Sequence, residues 1–337
     1  MFQTGIHIAL QALASKTLTW LMIQITATGY YRFVIIVVIA MLFGISLRQG
    51  FILFQIVAWT AVLSEIAKQF FGLPRPFFAD SRVACLEKGL DAATPFRAMG
   101  GTGFFDLPAR AVIDAYRLKG MSFGFPSGHA SGAIAMWGGL AVIFRKRWLV
   151  WLAPFLVVLV AFSRMYLGVH FLADILGGLV LGGLVLFAAW ELIGGDAGRE
   201  RFFAAARFRL GAALPGVLYY FFLLVLPALL ALLSLFNAMF AGFFVGLNAA
   251  FTLALRSGLP SDKGSPATRL ARVLLGCMLI WLSSLALSLA LTLVPAASGS
   301  VWGSFLTAGL GAFFSVWGGL QLMLRLGLYR KEAAPAK

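Results

Sequence analysis

Long uninterrupted apolar runs, many close to the ~20 residues a helix needs to cross a bilayer, alternate along this 337-residue chain with short gaps that hold most of its basic residues. Inside hydrocarbon, a segment must satisfy its own backbone donors and acceptors, which leaves only helices and closed barrels. The runs are continuous and do not alternate with period two, so a barrel is excluded in favour of helices. Composition agrees: 61% of residues are hydrophobic and 12% charged, about half the charged fraction of a soluble domain. The expected fold is an all-α polytopic membrane helix bundle. Its spans are expected at 31–48, 51–71, 127–144, 148–165, 169–192, 213–234, 237–256, 271–294 and 301–325, about nine transmembrane helices. Ala12-Leu13-Ala14 resembles a signal-cleavage triplet, but no Lys or Arg precedes it. Residues 5–25 therefore read as an amphipathic or weakly inserted N-terminal helix.

The net charge of +15 does not imply nucleic acid, because the basic residues sit in the gaps and act as topology signals. Arg48, Arg145-Lys146-Arg147, the group Arg199, Arg201, Arg207 and Arg209, the group Arg256, Lys263, Arg269 and Arg272, and the tail residues Arg325, Arg330, Lys331 and Lys337 all fall on one side of a nine-span bundle. By the positive-inside rule that side is cytoplasmic. The gaps near Phe236 and Ser298, on the other side, hold no basic residue. Cys85 and Cys277 are far apart in unlike segments and suggest neither a disulfide framework nor a metal cluster.

The segment 72–125 is the one large piece outside the membrane, with charges of both signs. Within it, 107–119 has helical periodicity, with Val112, Ile113 and Tyr116 on one face and Arg110, Asp114 and Arg117 on the other. The loop 77–125 reads as a substrate lid or membrane-skimming cover, a partner site or a solvated insertion. Two domains are expected: residues 1–194, with 77–125 as an extra-membrane loop, and a four-helix extension over 213–326 that is nearly all apolar at membrane depth.

Ionisable residues inside a membrane bundle are costly and mark function. Here they cluster. Lys68 ends the second span with Arg75-Pro76 beyond it, Pro126-Ser127-Gly128-His129 opens the third, Ser163-Arg164 closes the fourth, and His170 and Asp174 open the fifth. Alternating spans bring all of them to the face opposite the cytoplasmic charges. Three cations at one place suit a multiply charged anion: Arg75 and Arg164 can grip phosphate oxygens in bidentate fashion, and Lys68 adds a point charge. Pro126-Ser127 is a helix-start signal, and free N–H groups at Ser127 and Gly128 suit phosphate. His170 and Asp174, four apart, share a helix face. The carboxylate can hold one ring nitrogen and leave the other nucleophilic, while His129 can protonate a leaving oxygen. No carboxylate cluster suits two metals, so a metal-free covalent route is favoured and no cofactor is expected.

Lys68-x6-Arg75-Pro76, Pro126-Ser127-Gly128-His129 and Ser163-Arg164-x5-His170-x3-Asp174 resemble the three signature motifs of the type 2 phosphatidic acid phosphatase superfamily, over about residues 30–192. The resemblance implies that His170 attacks phosphorus to form a phosphohistidine and that Asp174 orients it. It implies that His129 protonates the leaving group and later activates water. Lys68, Arg75, Ser127, Gly128 and Arg164 would bind phosphate. The family core needs about six helices, so the last four spans are an addition. The function expected is hydrolysis of a lipid phosphate monoester or pyrophosphate, of the phosphatidic acid, phosphatidylglycerophosphate or undecaprenyl pyrophosphate class. The expected place is a bacterial inner membrane, with the site facing the periplasm or exterior. The rival readings are a lipid phosphotransferase using the same site, and a transporter or scaffold role for the C-terminal helices.

Blander readings are expected for other features. Glu65, three residues before Lys68, reads as a structural pair. Gly177, Gly178, Gly182 and Gly183 read as helix-packing surface, Arg145-Lys146-Arg147 as a topology anchor, and Asn248 as a satisfied interhelical hydrogen bond. Asn237 reads as such a bond or as an interfacial residue. His7 lies outside the cluster.

Overall fold

A computed structural model describes residues 1–87, 89–193, 198, 214–292 and 300–331. The described residues are helical apart from loops and one two-residue bridge, Pro260–Ser261 antiparallel to Arg330–Lys331. Six helices are long and apolar enough to cross a membrane: Leu47–Ala79, Arg147–Tyr166, Leu172–Ile193, Ala238–Arg256, Pro266–Ala290 and Val301–Arg325. The chain is thus read as an integral membrane protein.

The expected nine spans are matched only in part. Lys16–Ala27 and Tyr31–Ile45 pass the same test together but bend by 49° at the break between them. Gly128–Phe144 and Gly216–Leu232 are apolar but shorter. The single N-terminal helix expected over 5–25 is broken into Gly5–Ala12 and Lys16–Ala27. Ser15 makes the break, because its side chain accepts the Leu18 N–H and caps a new helix. Arg199, Arg201, Arg207, Arg209, Ser298 and Lys337, and Lys88 in the loop, lie outside the described residues, as does most of 195–212.

The chain divides into two compact units, Met1–Val34 with Gln55–Glu191, and Ile35–Phe54 with Leu192–Lys337. In the first, an apolar core forms around Phe77, Phe78, Val112, Ile113, Tyr116, Val169 and Phe171. The helix Arg110–Leu118 supplies Val112, Ile113 and Tyr116 to it, the face that the 107–119 periodicity marks. That face is spent on protein packing, with the Tyr116 ring edge-on to Phe78 at 4.9 Å, so a membrane-skimming role for it is corrected. The expected packing use of the glycines holds at three positions. A Cβ on Gly178 would come 2.5 Å from the Ser127 carbonyl oxygen, one on Gly182 2.7 Å from that of Ser131, and one on Gly177 would strike the Phe125 ring. Leu172–Ile193 can therefore lie flat against the start of Gly128–Phe144. Gly183 meets nothing within 4 Å.

In the second unit, Ala238–Arg256 and Val301–Arg325 approach backbone to backbone. A Cβ on Gly242 or Gly246 would overlap the carbonyl oxygens of Phe305 and Gly309. Asn237 caps Ala238–Arg256 through its side-chain oxygen, and Asn248 donates to the Leu223 carbonyl at 2.8 Å. Arg272, expected to be a topology signal, is instead fully buried. Its guanidinium donates to the carbonyls of Leu328 and Lys263 and lies 3.9 Å from the Tyr329 ring centroid.

Candidate active site

Each motif residue is positioned by a distinct local device within the first unit. Ser127, fully buried, is the N-cap of Gly128–Phe144 and accepts the Ala130 N–H. Its own N–H, expected to be free for phosphate, instead donates to the Asp174 carbonyl at 2.8 Å, which ties the second motif to the third. Gly128 faces Lys68, and a Cβ there would lie 3.6 Å from Nζ. The helices carrying them are pinned by a 2.8 Å contact between the hydroxyls of Ser64 and Ser131.

The third motif crosses from the end of Arg147–Tyr166 through a turn into Leu172–Ile193. His170 and Asp174 are buried, with Nδ1 3.3 Å from Oδ2. The same oxygen accepts the Phe171 N–H at 2.8 Å, so the carboxylate is fixed before it engages the ring. The ring's other nitrogen, Nε2, lies 3.5 Å from Arg75. Arg75 is buried and clamped: it donates to the Ser122 carbonyl at 2.9 Å and to the Val169 carbonyl at 3.1 Å. The Ser122 carbonyl also accepts the Tyr116 hydroxyl at 3.0 Å. Burial pushes that phenol up to about 12, against the opposing pull of Arg75, so it stays a neutral donor. The amphipathic helix thus acts on the site by holding the strand of chain that holds Arg75.

Arg164 is the most enclosed of the cations. One terminal amine donates to the Thr26 hydroxyl at 3.0 Å, the other lies 2.8 Å from a carboxylate oxygen of Glu87, and Nε is buried without a hydrogen-bond partner. His129 Nε2 and Asp174 Oδ1 are buried and unpartnered as well. Lys68, Arg75 and Arg164 all act electrostatically on both His129 and His170. The eight residues marked in the sequence, Lys68, Arg75, Ser127, Gly128, His129, Arg164, His170 and Asp174, therefore come together in one cluster.

Sequence reasoning missed Thr26, Tyr30, Glu87 and Ser122. The Tyr30 hydroxyl donates to Glu87, and its ring stands edge-on to His129, with centroids 4.9 Å apart. Burial alone would push the Glu87 carboxyl up, but Arg164 and the Tyr30 hydroxyl outweigh it and hold it below the usual carboxylate range. Glu65 acts electrostatically on Lys68 and accepts from Gln69 at 3.4 Å. His7 is a core histidine, its Nδ1 2.9 Å from the Met165 carbonyl and its ring edge-on to Phe171. Among the described residues no three His, Cys, Asp or Glu side chains are grouped as metal ligands would be.

A cluster of fixed cations around two histidines and one carboxylate, built on apolar helices, has the charge and the donors to hold a multiply charged anion. Residues 49–196 match the model of the PAP2 superfamily. Three curated bacterial proteins are similar. The lipid A 4'-phosphatase of Porphyromonas gingivalis is 30% identical over 135 residues, 40% of this chain and 48% of that protein. Phosphatidylglycerophosphatase B of Bacillus subtilis is 40% identical over 75 residues, 20% of this chain and 37% of that protein. The undecaprenyl-diphosphatase BcrC of Bacillus subtilis is 38% identical over 63 residues, 19% of this chain and 32% of that protein. The chain thus spans about half or less of the curated relatives it matches. No solved structure matches.

Proposed function

We propose that this protein is a membrane-bound lipid phosphatase that hydrolyses a phosphate monoester or pyrophosphate through a phosphohistidine on His170. One observation carries the reading. A histidine held at Nδ1 by a carboxylate faces the cations through Nε2, and in the same cluster Arg164 Nε and His129 Nε2 are buried without a protein partner. Buried polar atoms left unsatisfied cost about 1–3 kcal/mol each. A phosphate would satisfy both donors, and so offset that cost.

The steps follow from the residues. Asp174 accepts Nδ1–H, which leaves the Nε2 lone pair free to attack phosphorus. As the N–P bond forms, the P–O bond to the lipid breaks, and His129 donates a proton to the departing oxygen. Lys68, Arg75 and Arg164 stabilise the equatorial oxygens, with N–H groups in the first turn at Gly128. His129 then takes a proton from water, whose oxygen attacks the phosphohistidine. The N–P bond breaks, inorganic phosphate leaves and His170 is regenerated. Three fixed cations supply the charge that a divalent metal supplies elsewhere, so the reading includes no metal requirement.

The relatives' names support a lipid phosphate as substrate, and the apolar helices offer a place for its tail. The basic gaps support a site on the non-cytoplasmic face of a bacterial inner membrane. The test is phosphate release from phosphatidic acid, phosphatidylglycerophosphate and undecaprenyl pyrophosphate in nanodiscs, with chelator present. Release is expected to survive the chelator and to fall at least ~10³-fold in His170→Ala. Wild-type release by that variant, or loss of release on chelation, would overturn the mechanism. Transfer of the phosphoryl group to a lipid or sugar hydroxyl, without free phosphate, would overturn hydrolysis alone.

A further inference from the structure

The extra-membrane segment delivers one carboxylate into the cluster. Its approach is well anchored: the Leu86 N–H donates to the Leu167 carbonyl at 3.1 Å, and Ala84 is held by Gln11 through both its N–H, at 2.9 Å, and its carbonyl, at 2.8 Å. The turn after Arg147–Tyr166 and the first helix thus fix residues 84–86, and Glu87 follows with its side chain largely covered, 14% exposed.

Two site groups depend on that carboxylate. One oxygen faces a terminal amine of Arg164 at 2.8 Å, and the other accepts the Tyr30 hydroxyl. The Arg164 contact is an ion pair by distance without the alignment of a hydrogen bond. Thr26 holds the second terminal amine. With both terminal nitrogens engaged, Nε is the one nitrogen of the guanidinium that is buried without a partner. On the other side, Tyr30 is bounded by Gly29, where a Cβ would come 2.6 Å from His129 Cδ2. The Gly29-Tyr30 turn therefore forms one wall of the His129 ring, and Glu87 fixes that turn through the hydroxyl.

We propose that Glu87 is a positioning residue for the phosphatase reaction: it orients Arg164 to offer Nε to phosphate, and through Tyr30 it braces His129 against the leaving group. The inference rests on the function proposed above. A planar, forked guanidinium recognises phosphate by direction as well as charge, so its orientation matters as much as its presence. Glu87 also offsets one of three crowded cations, Lys68, Arg75 and Arg164, which repel one another in the absence of substrate.

The experiment is a double-mutant cycle on the full-length protein in detergent, with steady-state phosphate release and thermal unfolding read on every variant. The variants are Glu87→Gln, Glu87→Ala, Arg164→Ala, Glu87→Gln with Arg164→Ala, and His170→Ala. Glu87→Gln keeps the shape and an acceptor for Tyr30, and is expected to lower kcat/KM about tenfold, chiefly through KM, with an equal weakening of vanadate inhibition. Glu87→Ala loses the brace on His129 as well, and its kcat is expected to fall too. In the Arg164→Ala background Glu87→Gln is expected to change kcat/KM less than about twofold, because the group it acts through is gone. Should Glu87→Ala fold poorly, the glutamine variant and its cycle decide alone. Wild-type kinetics in Glu87→Gln, or effects that multiply fully in the double variant, would overturn the inference while His170→Ala remains inactive. Wild-type release by His170→Ala would overturn the phosphatase reading and this inference with it.

Discussion

The two units treat buried polar groups in opposite ways. In the second, Arg272 is enclosed by the Leu328 and Lys263 carbonyls and the Tyr329 ring, Asn248 has the Leu223 carbonyl, and Ser315 is bonded to Ser283 and the Gly311 carbonyl. In the first, Arg164 Nε, His129 Nε2 and Asp174 Oδ1 are buried with no hydrogen-bond partner among the described residues. A lone unpartnered atom such as Trp137 Nε1 says little. Two of them beside His170, Arg164 Nε and His129 Nε2, are the atoms that the phosphate of the proposed function would meet.

The sharpest break of this comparison is His170→Gln. If the first unit's open groups exist for a reaction, release is expected to fall at least ~10³-fold while thermal stability in detergent holds or rises, since functional sites commonly cost stability. A large loss of stability alongside the activity would make His170 a structural residue and erase the contrast. The reverse is expected of Arg272→Met in the second unit. It strands the carbonyls of Leu328 and Lys263 and removes the Tyr329 contact, for a loss of about 3 kcal/mol. The turnover of the molecules that remain folded is expected to stay at the wild-type rate, measured as phosphate released per folded protein.

A finer division separates glycines by what surrounds them. Gly246→Ala places a Cβ into the Gly309 carbonyl, a clash with backbone that no rotamer relieves. It is expected to cost about 2 kcal/mol. Gly183→Ala, also within a helix but with nothing inside 4 Å, is expected to be neutral or to stabilise by up to about 1 kcal/mol through helix propensity. Equal thermal shifts in the two variants would mean that close backbone packing is not what the second unit's glycines serve.

These contrasts mark what the sequence could carry. The eight motif residues were legible because each motif is local, but the shared helix face expected for His170 and Asp174 is corrected: His170 precedes the helix Leu172–Ile193 and meets Asp174 across the turn that enters it. The amphipathic face of Val112, Ile113 and Tyr116 was legible from its period, though not its destination, because an apolar face looks alike whether protein or lipid covers it. Hydropathy runs hid the breaks at Ser15 and between Ala27 and Tyr31, which local hydrogen bonds decide. Tyr30 and Glu87 were out of reach. They come from distant parts of the chain, and a carboxylate in a mixed-charge loop carries no signal that it will meet Arg164. Arg272 was misread for the same reason, since its carbonyl partners are set by tertiary packing.

The last contrast concerns a buried carboxylate in the first unit that is closed in the manner of the second. Asp80 is fully buried and accepts from the Thr4 hydroxyl at 2.8 Å, the Arg82 N–H at 3.1 Å and the Arg82 guanidinium at 2.7 Å. Burial alone would push its carboxyl up, but these bonds outweigh it and hold the group well below the usual carboxylate range. A depressed folded value means that its stabilisation is complete above the unfolded value near 4 and disappears only as pH falls through the lower folded one. Arg82 is 44% exposed, so solvent screens its share, and Asp80→Asn is expected to cost about 1–2 kcal/mol at pH 7. From pH 7 to 5 the difference between wild type and variant is expected to stay constant in thermal unfolding, and below pH 4 to shrink as the wild-type carboxylate takes up its proton. A deficit that persists unchanged into strong acid would mean that Asp80 acts through shape rather than charge. A deficit that shrinks already between pH 7 and 5 would mean that its bonds to Thr4 and Arg82 do not hold it ionised.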